Sequence, residues 1–452
     1  MVKQRVKIVS DRDHITRQRM NRAHCSSLVS LLLVLTCALS GCSTTAQNSN
    51  QSNQERFTDQ LPINRSDSWV FDTNYLSRDR AEQLELVTFD LVDDAPITYF
   101  HSVAASVDGY IYAVRSLYSY DSSESMIVKY DSDLNRVAYL RSSDTPYDAF
   151  GIRIAVAPDG SIFVAYFINN GSDTGIIKYD TDFVEIASTE TRFGYTVLVA
   201  SEDGSLYAAG WHPQDEDYYL SIGVIIKYNS DLNEVCSLVW DNDKRDEFFD
   251  LAVAPDGSVY ALGSSILYQQ SPFEAYLFKY NSNLVLQGEF VKSESDSMNQ
   301  FSSLAVDANG SIFIVWDTND YWYGSRSFLL KLDSNLDEVA SLDTNEIRSD
   351  FFSRSEFDSG MDIRALAVDP EGYIYAAGQA GTATRRGDAA IVLLDNDLRI
   401  ANIVAWPREN RTESFHDIAI SADGIVYAAG ESHPFGEGFD ENGSNSDALI
   451  IR

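Results

Sequence analysis

One short phrase recurs along the chain and constrains everything else about it. An aliphatic residue and small apolar residues lead to an acid or Asn followed by Gly, and then to an aliphatic and an aromatic residue. The first clear copy is Val103-Ala104-Ala105-Ser106-Val107-Asp108-Gly109-Tyr110-Ile111-Tyr112. Its glycine returns at Gly160, Gly204, Gly257, Gly310, Gly372 and Gly424, at intervals of 44 to 62 residues. Self-similarity at such a period marks a solenoid or a propeller. Physically the phrase is a tight hairpin. The residue pair ending in Gly supplies the positive φ that the turn requires, and β-formers flank it.

The strand entering the turn carries small residues at one register, namely Ala104, Ala155, Val199, Ala252, Ala305, Ala367 and Ala419. Strands converging on a common axis are crowded there, which favours small side chains. The leaving strand carries Tyr112, Phe163, Tyr207, Tyr260, Phe313, Tyr375 and Tyr427, rings large enough to fill the space between neighbouring sheets. A third strand follows (Ile127-Val128-Lys129-Tyr130 in the first copy), and a turn through Asp131-Ser132-Asp133 leads into a fourth, Val137-Ala138-Tyr139-Leu140. Four strands per repeat and seven repeats predict an all-β, seven-bladed β-propeller of four-stranded blades. The last copy stops at Arg452 after three strands. The missing fourth is present as Leu84-Glu85-Leu86-Val87-Thr88-Phe89, so a strand at about residues 84–90 is expected to complete the last blade and remove an open sheet edge. An eighth blade fits less well, because no hairpin phrase precedes Trp69-Val70-Phe71.

The pattern I-A-x-x-x-x-G-x-x-Y-x-A-G at Ile418 to Gly430, with Asp447-Ala448 beyond it, resembles the bacterial seven-bladed β-propeller repeat and is similar to the NHL repeat. The resemblance covers about residues 84–452. It implies architecture rather than activity, since such propellers include binding modules, scaffolds, lactonases and lyases.

Residues 1–41 read as a leader outside the fold. Leu28 to Leu39 is mostly apolar, follows Arg17, Arg19 and Arg22, and is short for a membrane span. Met20 would give a leader of more ordinary length. The end of the segment, Leu39-Ser40-Gly41-Cys42, resembles the lipobox of bacterial lipoproteins. That resemblance implies cleavage before Cys42, lipidation (palmitate) of Cys42 and, with Ser43 following, anchorage in the cell outer membrane, facing the periplasm or the cell surface. The alternative is ordinary secretory cleavage with an incidental Cys. Residues 42–56 are polar and turn-rich and form a flexible tether, and residues 57–452 hold the propeller domain.

Charge excludes one large class of partner. The chain carries 34 basic and 68 acidic residues, a net charge of −34, and residues 1–41 contribute more basic than acidic side chains. Such a field repels nucleic acid and anionic lipid, so contact with the membrane is expected only through the lipid anchor. The acidity is either a solvated surface or a source of weak divalent-cation binding, calcium for example. No other cofactor is expected. No Walker loop, dinucleotide fingerprint, H-E-x-x-H, paired C-x-x-C or G-x-S-x-G elbow occurs. Once the leader is gone, Cys236 is the only cysteine besides Cys42, and its setting suits a small buried residue rather than a nucleophile.

Three groups of residues are candidates for binding or chemistry. The loops between second and third strands are long and rich in aromatic and acidic residues, including Trp211, Tyr218, Trp316 and Trp322. Aromatic faces beside carboxylates suit sugars or peptides, unless the rings pack their own loops. The mouth of the central channel, just before each inner strand, collects His101, Arg153, Asp250, Arg364, His416 and Asp417. They form either an acid/base or ligand cluster, or polar groups bonded to backbone beside a wet channel. The third group is the recurring Asp-x-Asp turn at Asp131/Asp133, Asp180/Asp182 and Asp395/Asp397. Turn chemistry accounts for it better than calcium, which needs six or more oxygens. The expected function is a binding or interaction module of the cell envelope, acting as a monomeric ring on a protein, peptide or glycan. The alternative is a propeller enzyme of lactonase or lyase type working at the channel mouth.

Overall fold

The computed structural model of the chain describes residues 4–7 and 97–452, apart from 119–122, 145–149, 169–172, 192, 215–219, 267–273, 294–296, 321–323, 348–359, 381–386, 407–410 and 435–446. The described residues belong to one compact unit. Their strands group into seven antiparallel meanders, six of four strands and a last one of three. The first meander runs through Ile97–Ala105, Ile111–Tyr118, Ser123–Tyr130 and Arg136–Arg141, and the last through Arg411–Ile420, Val426–Pro434 and Asp447–Ile451. All seven hairpin glycines adopt φ between 78° and 88°, which explains why the phrase ends its turn in Gly. The segment at 84–90, expected to complete the last blade, lies outside the described residues.

Every seam between successive sheets has a core of its own. Tyr112 and Val114 of the first sheet pack on Ile154 and Val164 of the second, and so on around the molecule. The decisive seam joins the ends: Phe100, Val103 and Val128 of the first sheet share a core with Tyr427, Ala429 and Ile450 of the last. Sheets arranged radially and closed end on end are a β-propeller.

The recurring small residue has a more specific role than relieving crowding at the axis. Ala104 lies directly opposite Tyr112, Ala155 opposite Phe163 and Ala419 opposite Tyr427, and the remaining four pairs repeat the register. Each ring is buried, and the small partner leaves it room on the same sheet face. The third-strand Lys is likewise a seam device. Lys129, Lys178, Lys227, Lys279 and Lys331 each donate to a backbone carbonyl in the outer turn of the next sheet, at 2.8–3.3 Å. Their ammonium groups lie 5.1–5.8 Å from the second-strand ring of their own sheet. In the last sheet Arg452 occupies this register and reaches Asp133 of the first.

The Asp-x-Asp motif is turn chemistry. Asp131 Oδ1 accepts the backbone N–H groups of Asp133 and Asn135, and Asp180, Asn229, Asn281, Asp333 and Asp395 do the same in their sheets. The next residue in five of these six turns is a Leu at φ 59–70°, and all five leucines are buried. Burial of the side chain offsets a backbone conformation that Leu rarely adopts.

The outer strand Glu234–Trp240 of the third sheet is extended by Gln4–Lys7, which pairs antiparallel along its edge. These four residues fall in the segment that the sequence places outside the fold. An outer strand presents a row of unpaired backbone groups that accepts any extended segment.

Leu284, fully buried at φ 59°, gives a direct test of the turn. Leu284→Ala should lower stability by about 2–4 kcal/mol, as a cavity-forming core truncation does. Urea denaturation monitored by tryptophan fluorescence would read the loss.

Candidate ligand site at the channel mouth

A bulge in every inner strand builds the mouth. The pairing register skips one residue between Phe100 and Ser102, Gly151 and Arg153, Tyr195 and Val197, Phe248 and Asp250, Phe301 and Ser303, Ile363 and Ala365, and Phe415 and Asp417. The extra residues are thus His101, Ile152, Thr196, Phe249, Ser302, Arg364 and His416. A bulge leaves its extra residue outside the ladder and re-aims the side chains around it. Nothing in the hairpin phrase announces it. Its trace is the partner position, which is Gly in four sheets: Gly210, Gly263, Gly378 and Gly430. A Cβ on Gly430 would lie 2.0 Å from the Ser414 carbonyl oxygen.

The residues around the bulges chiefly join one sheet to the next. Asp417 Oδ2 accepts the Val103 N–H across the closing seam at 2.8 Å, and its Oδ1 accepts the Ile418 N–H. Asp250 repeats this between the fourth and fifth sheets, with Leu304 N–H at 2.8 Å and Leu251 N–H on its other oxygen. Ser102 and Ser303 hold Ile154 N–H and Leu366 N–H in the same way. In the opposite direction, His416 Nδ1 donates to the Phe100 carbonyl at 3.2 Å, Thr196 Oγ1 to the Phe248 carbonyl and Arg153 Nε to the Thr196 carbonyl. Of the two readings the sequence offers for the mouth, Asp250 and Asp417 follow the second, as polar groups bonded to backbone. A buried backbone N–H needs an acceptor, and beside these bulges a side chain of the preceding sheet supplies it.

The histidines do come together. Tyr99 lies edge-on to both, with ring centroids 4.6 Å from His101 and 6.3 Å from His416. His101 Nε2 meets Ser116 Oγ at 2.6 Å. His416 Nε2 lies 3.1 Å from Ser414 Oγ and 3.2 Å from Glu431 Oε1, and His433 Nε2 approaches the same carboxylate oxygen at 3.0 Å. Arg364 joins through Nη1 to Ser414 Oγ and pairs with Asp362. His433 is the most exposed of the three at 39 %, against 22 % for His416 and 17 % for Glu431. Glu431 and Ser414 were not legible as site residues, because only the pairing register of the last sheet's two inner strands sets them opposite each other beside His416 and His433.

Burial dominates the electrostatics. It pushes the His101 imidazole down to about 4, helped by the charges of Arg153 and His416 and opposed by Glu431. Burial raises Asp250 to about 7 against its two N–H bonds, with Asp417 adding and Arg153 subtracting. Asp417 is raised by burial in the same manner, against the bonds from Val103 N–H and Ser102 and the charge of Arg153. For Glu431 burial works upward, but the bonds from His416 and His433 win and hold it well below the usual carboxylate range.

The second-to-third strand connections leave from the same end as this cluster, since Ile97 at the start of an inner strand pairs with Tyr118 at the end of a second strand. Trp211 stands there, half-buried, with its indole over Gly194, and His212 meets Phe193 edge-on. Trp316 corrects the expectation of a loop-face ring. It is 6 % exposed, stacks on Phe328 at 5.1 Å and lies under the Lys292 ammonium at 4.7 Å. It pairs within a strand of the fifth sheet rather than in a loop, so its ring fills the seam with the fourth. Tyr218 and Trp322 lie outside the described residues. Cys236 is buried, and burial pushes its thiol up. Among the described residues no group of three or more His, Cys, Asp or Glu is arranged to hold a metal ion.

No protein-family model matches the chain, and neither does any curated protein sequence. Solved structures do. A streptogramin B lyase is 13 % identical over 82 % of this chain and 99 % of its own, with a TM-score of 0.49. The β-propeller domain of the Trilobed protease from Pyrococcus furiosus is 10 % identical over 79 % and 94 %, also at 0.49. The calcium-binding protein regucalcin from Agrobacterium tumefaciens is 12 % identical over 67 % and 90 %, at 0.33.

The clamp carboxylates give a pH test with a definite sign. Asp250 is raised in the fold, so its cost to stability appears as pH rises from about 4 to about 7. His101 is lowered, so its cost appears as pH falls from 6.5 towards about 4. Asp250→Asn removes the first and leaves the second. Measured by urea denaturation, the variant should fare better relative to wild type at about pH 7.5 than at about pH 4.5. An equal change in stability at both pH values would contradict the assignment.

Proposed function

We propose that the protein is a binding module of the cell envelope, held to the outer membrane by lipid on Cys42. In this reading it takes a protein, peptide or glycan on the face where the second-to-third strand connections emerge. The observation that carries the reading is the division of labour at the channel mouth. Asp250 and Asp417 have both carboxylate oxygens on backbone N–H groups, as structural clamps do. At the same end the partly exposed Trp211, His433 and Arg364 stand beside long variable connections. Variable loops on a rigid scaffold are where recognition usually lives. Seven blades, with residues 84–90 closing the last, complete the ring in this reading.

A second reading, an enzyme of lactonase or lyase type at the mouth, draws support from one observation: His416 and His433 share a carboxylate that is partly open to solvent. Against it, His101 is turned to Ser116, which is 1 % exposed and closed to any substrate. Weak calcium binding to the acidic surface belongs to the proposal only as a property of the net charge.

Two measurements test the proposal. Glycan and peptide arrays probed with the full chain should show at least one bound class, and Trp211→Ala should weaken that signal about tenfold or more, as loss of a stacking anchor does. An array without any bound class, or signals that Trp211→Ala leaves unchanged, would count against the binding face. Independently, Cys42→Ser should move the protein from the membrane fraction to the soluble one. Retention of the variant in membranes would sink the lipid anchor without touching the binding face.

A further inference from the structure

The outer strand of the third sheet, Glu234–Trp240, differs from its counterparts in how firmly it is held. Cys236, Leu238 and Trp240 are buried in the seam with the fourth sheet, whereas the described residues of each other outer strand include one buried side chain at most. Trp240 is wedged among rings, with centroids 5.0 Å from Phe278, 5.2 Å from Tyr276 and 5.3 Å from Phe248. On the opposite face Val239 packs against the core between the second and third sheets. A strand gripped on both faces keeps its edge in place, so a further strand can pair with it at little ordering cost. The edge also shows what it accepts. Gln4–Lys7 pairs antiparallel along it, with Gln4 opposite Trp240 and Lys7 opposite Ser237. This ladder ends short of Val235, the extra residue of a bulge between Glu234 and Cys236. A bulge interrupts the row of edge groups, which limits the platform to residues 237–240.

Two features limit the occupant. A segment bound along its main chain needs its own N–H groups, which excludes proline. Exposed acids flank the platform, Glu234 before it and Asp241 and Asp243 after it, in a chain of net charge −34. The nearby cations Lys244 and Arg245 are paired with Glu274 and Glu247. Such a setting favours a cationic segment, and Gln4-Arg5-Val6-Lys7 has two basic residues and no acid. We propose that residues 237–240 are a strand-addition site for an extended, proline-free, basic peptide, which pairs there antiparallel in the register of Gln4–Lys7. Removal of residues 1–41, which the lipid anchor on Cys42 requires, leaves the platform to a segment of this chemistry from another protein. The site is separate from the proposed loop face. Trp211, Gly223, Trp240 and Gln4 lie in one row across the sheet, which sets Trp211 three strand spacings, about 14 Å, from a peptide on the edge.

The full chain carries its own competitor, so the test uses the full-length double variant Arg5→Pro/Val6→Pro. Prolines at neighbouring positions remove one N–H of each alternation from the competing segment. The probe is a fluorescently labelled peptide of residues 1–10. In anisotropy titrations it should bind the variant at least about tenfold tighter than the wild-type chain, whose tethered segment holds the edge. Hydrogen exchange should place the new protection on residues 237–240. An antiparallel partner directs only alternate N–H groups to the edge. Of two peptides, one N-methylated at Gln4 and Val6 and the other at Arg5 and Lys7, one should therefore lose about tenfold or more in affinity while the other keeps it. An equal effect of the two methylation patterns overturns the proposal, since attraction between charges does not distinguish them. Absence of binding to the double variant overturns it too, as does protection placed around Trp211 instead of residues 237–240.

Discussion

The structure depends on hydrogen bonds and packing that run between sheets rather than within them. A four-stranded meander buries neither face by itself, so each sheet is stable only against its neighbours. The seams draw on the same few parts. A second-strand ring fills the space between sheets, at five seams a Lys reaches the next outer turn, and at four a Ser or Asp beside the inner bulge takes the next sheet's N–H. At the closing seam Arg452 stands in for Lys, and Tyr427 donates to the Ser132 carbonyl. Closure is thus made by the same kinds of contact as propagation: the His416 imidazole bonds the Phe100 carbonyl as the Thr196 hydroxyl bonds the Phe248 carbonyl.

This dependence decides how the channel mouth can be used. Bulges place pairs of side chains where a ligand would enter, but the ring needs many of those same side chains to satisfy backbone groups. Asp250 and Asp417 are held by this requirement. In the proposed reading recognition falls to Trp211, His433 and Arg364, which stand further out at the same end. Burial then sets the charge states: it raises the clamp carboxylates and depresses His101, which weakens any scheme that needs them as an ionised base or a charged acid.

Several sequence signals survived in detail. The Asp-Gly phrase is a hairpin in every copy because positive φ at the turn leaves few alternatives to Gly. The alternation of small residue and ring was also legible, although its reason lies in direct cross-strand pairing rather than in crowding at the axis. The Asp-x-Asp turns were read as turn chemistry and are so. Trp316 was misplaced for a physical reason: an aromatic residue near the end of a second strand looks the same in sequence whether the strand stops before it or continues through it. Only pairing with Phe328 decides that.

By itself, then, the sequence determined the repeated antiparallel sheet of a β-propeller, because turn geometry and strand periodicity are local. It also brought His101 and His416 to one register, since both count back equally from their turn. Tertiary structure alone decided that this register is a bulge, that Glu431 lies between His416 and His433, and that Asp250 and Asp417 face backbone N–H groups. The first two follow from the pairing register within a sheet, and the last from which sheet stands beside which and at what offset. Such contacts join residues as far apart as Val103 and Asp417, and no local pattern encodes them.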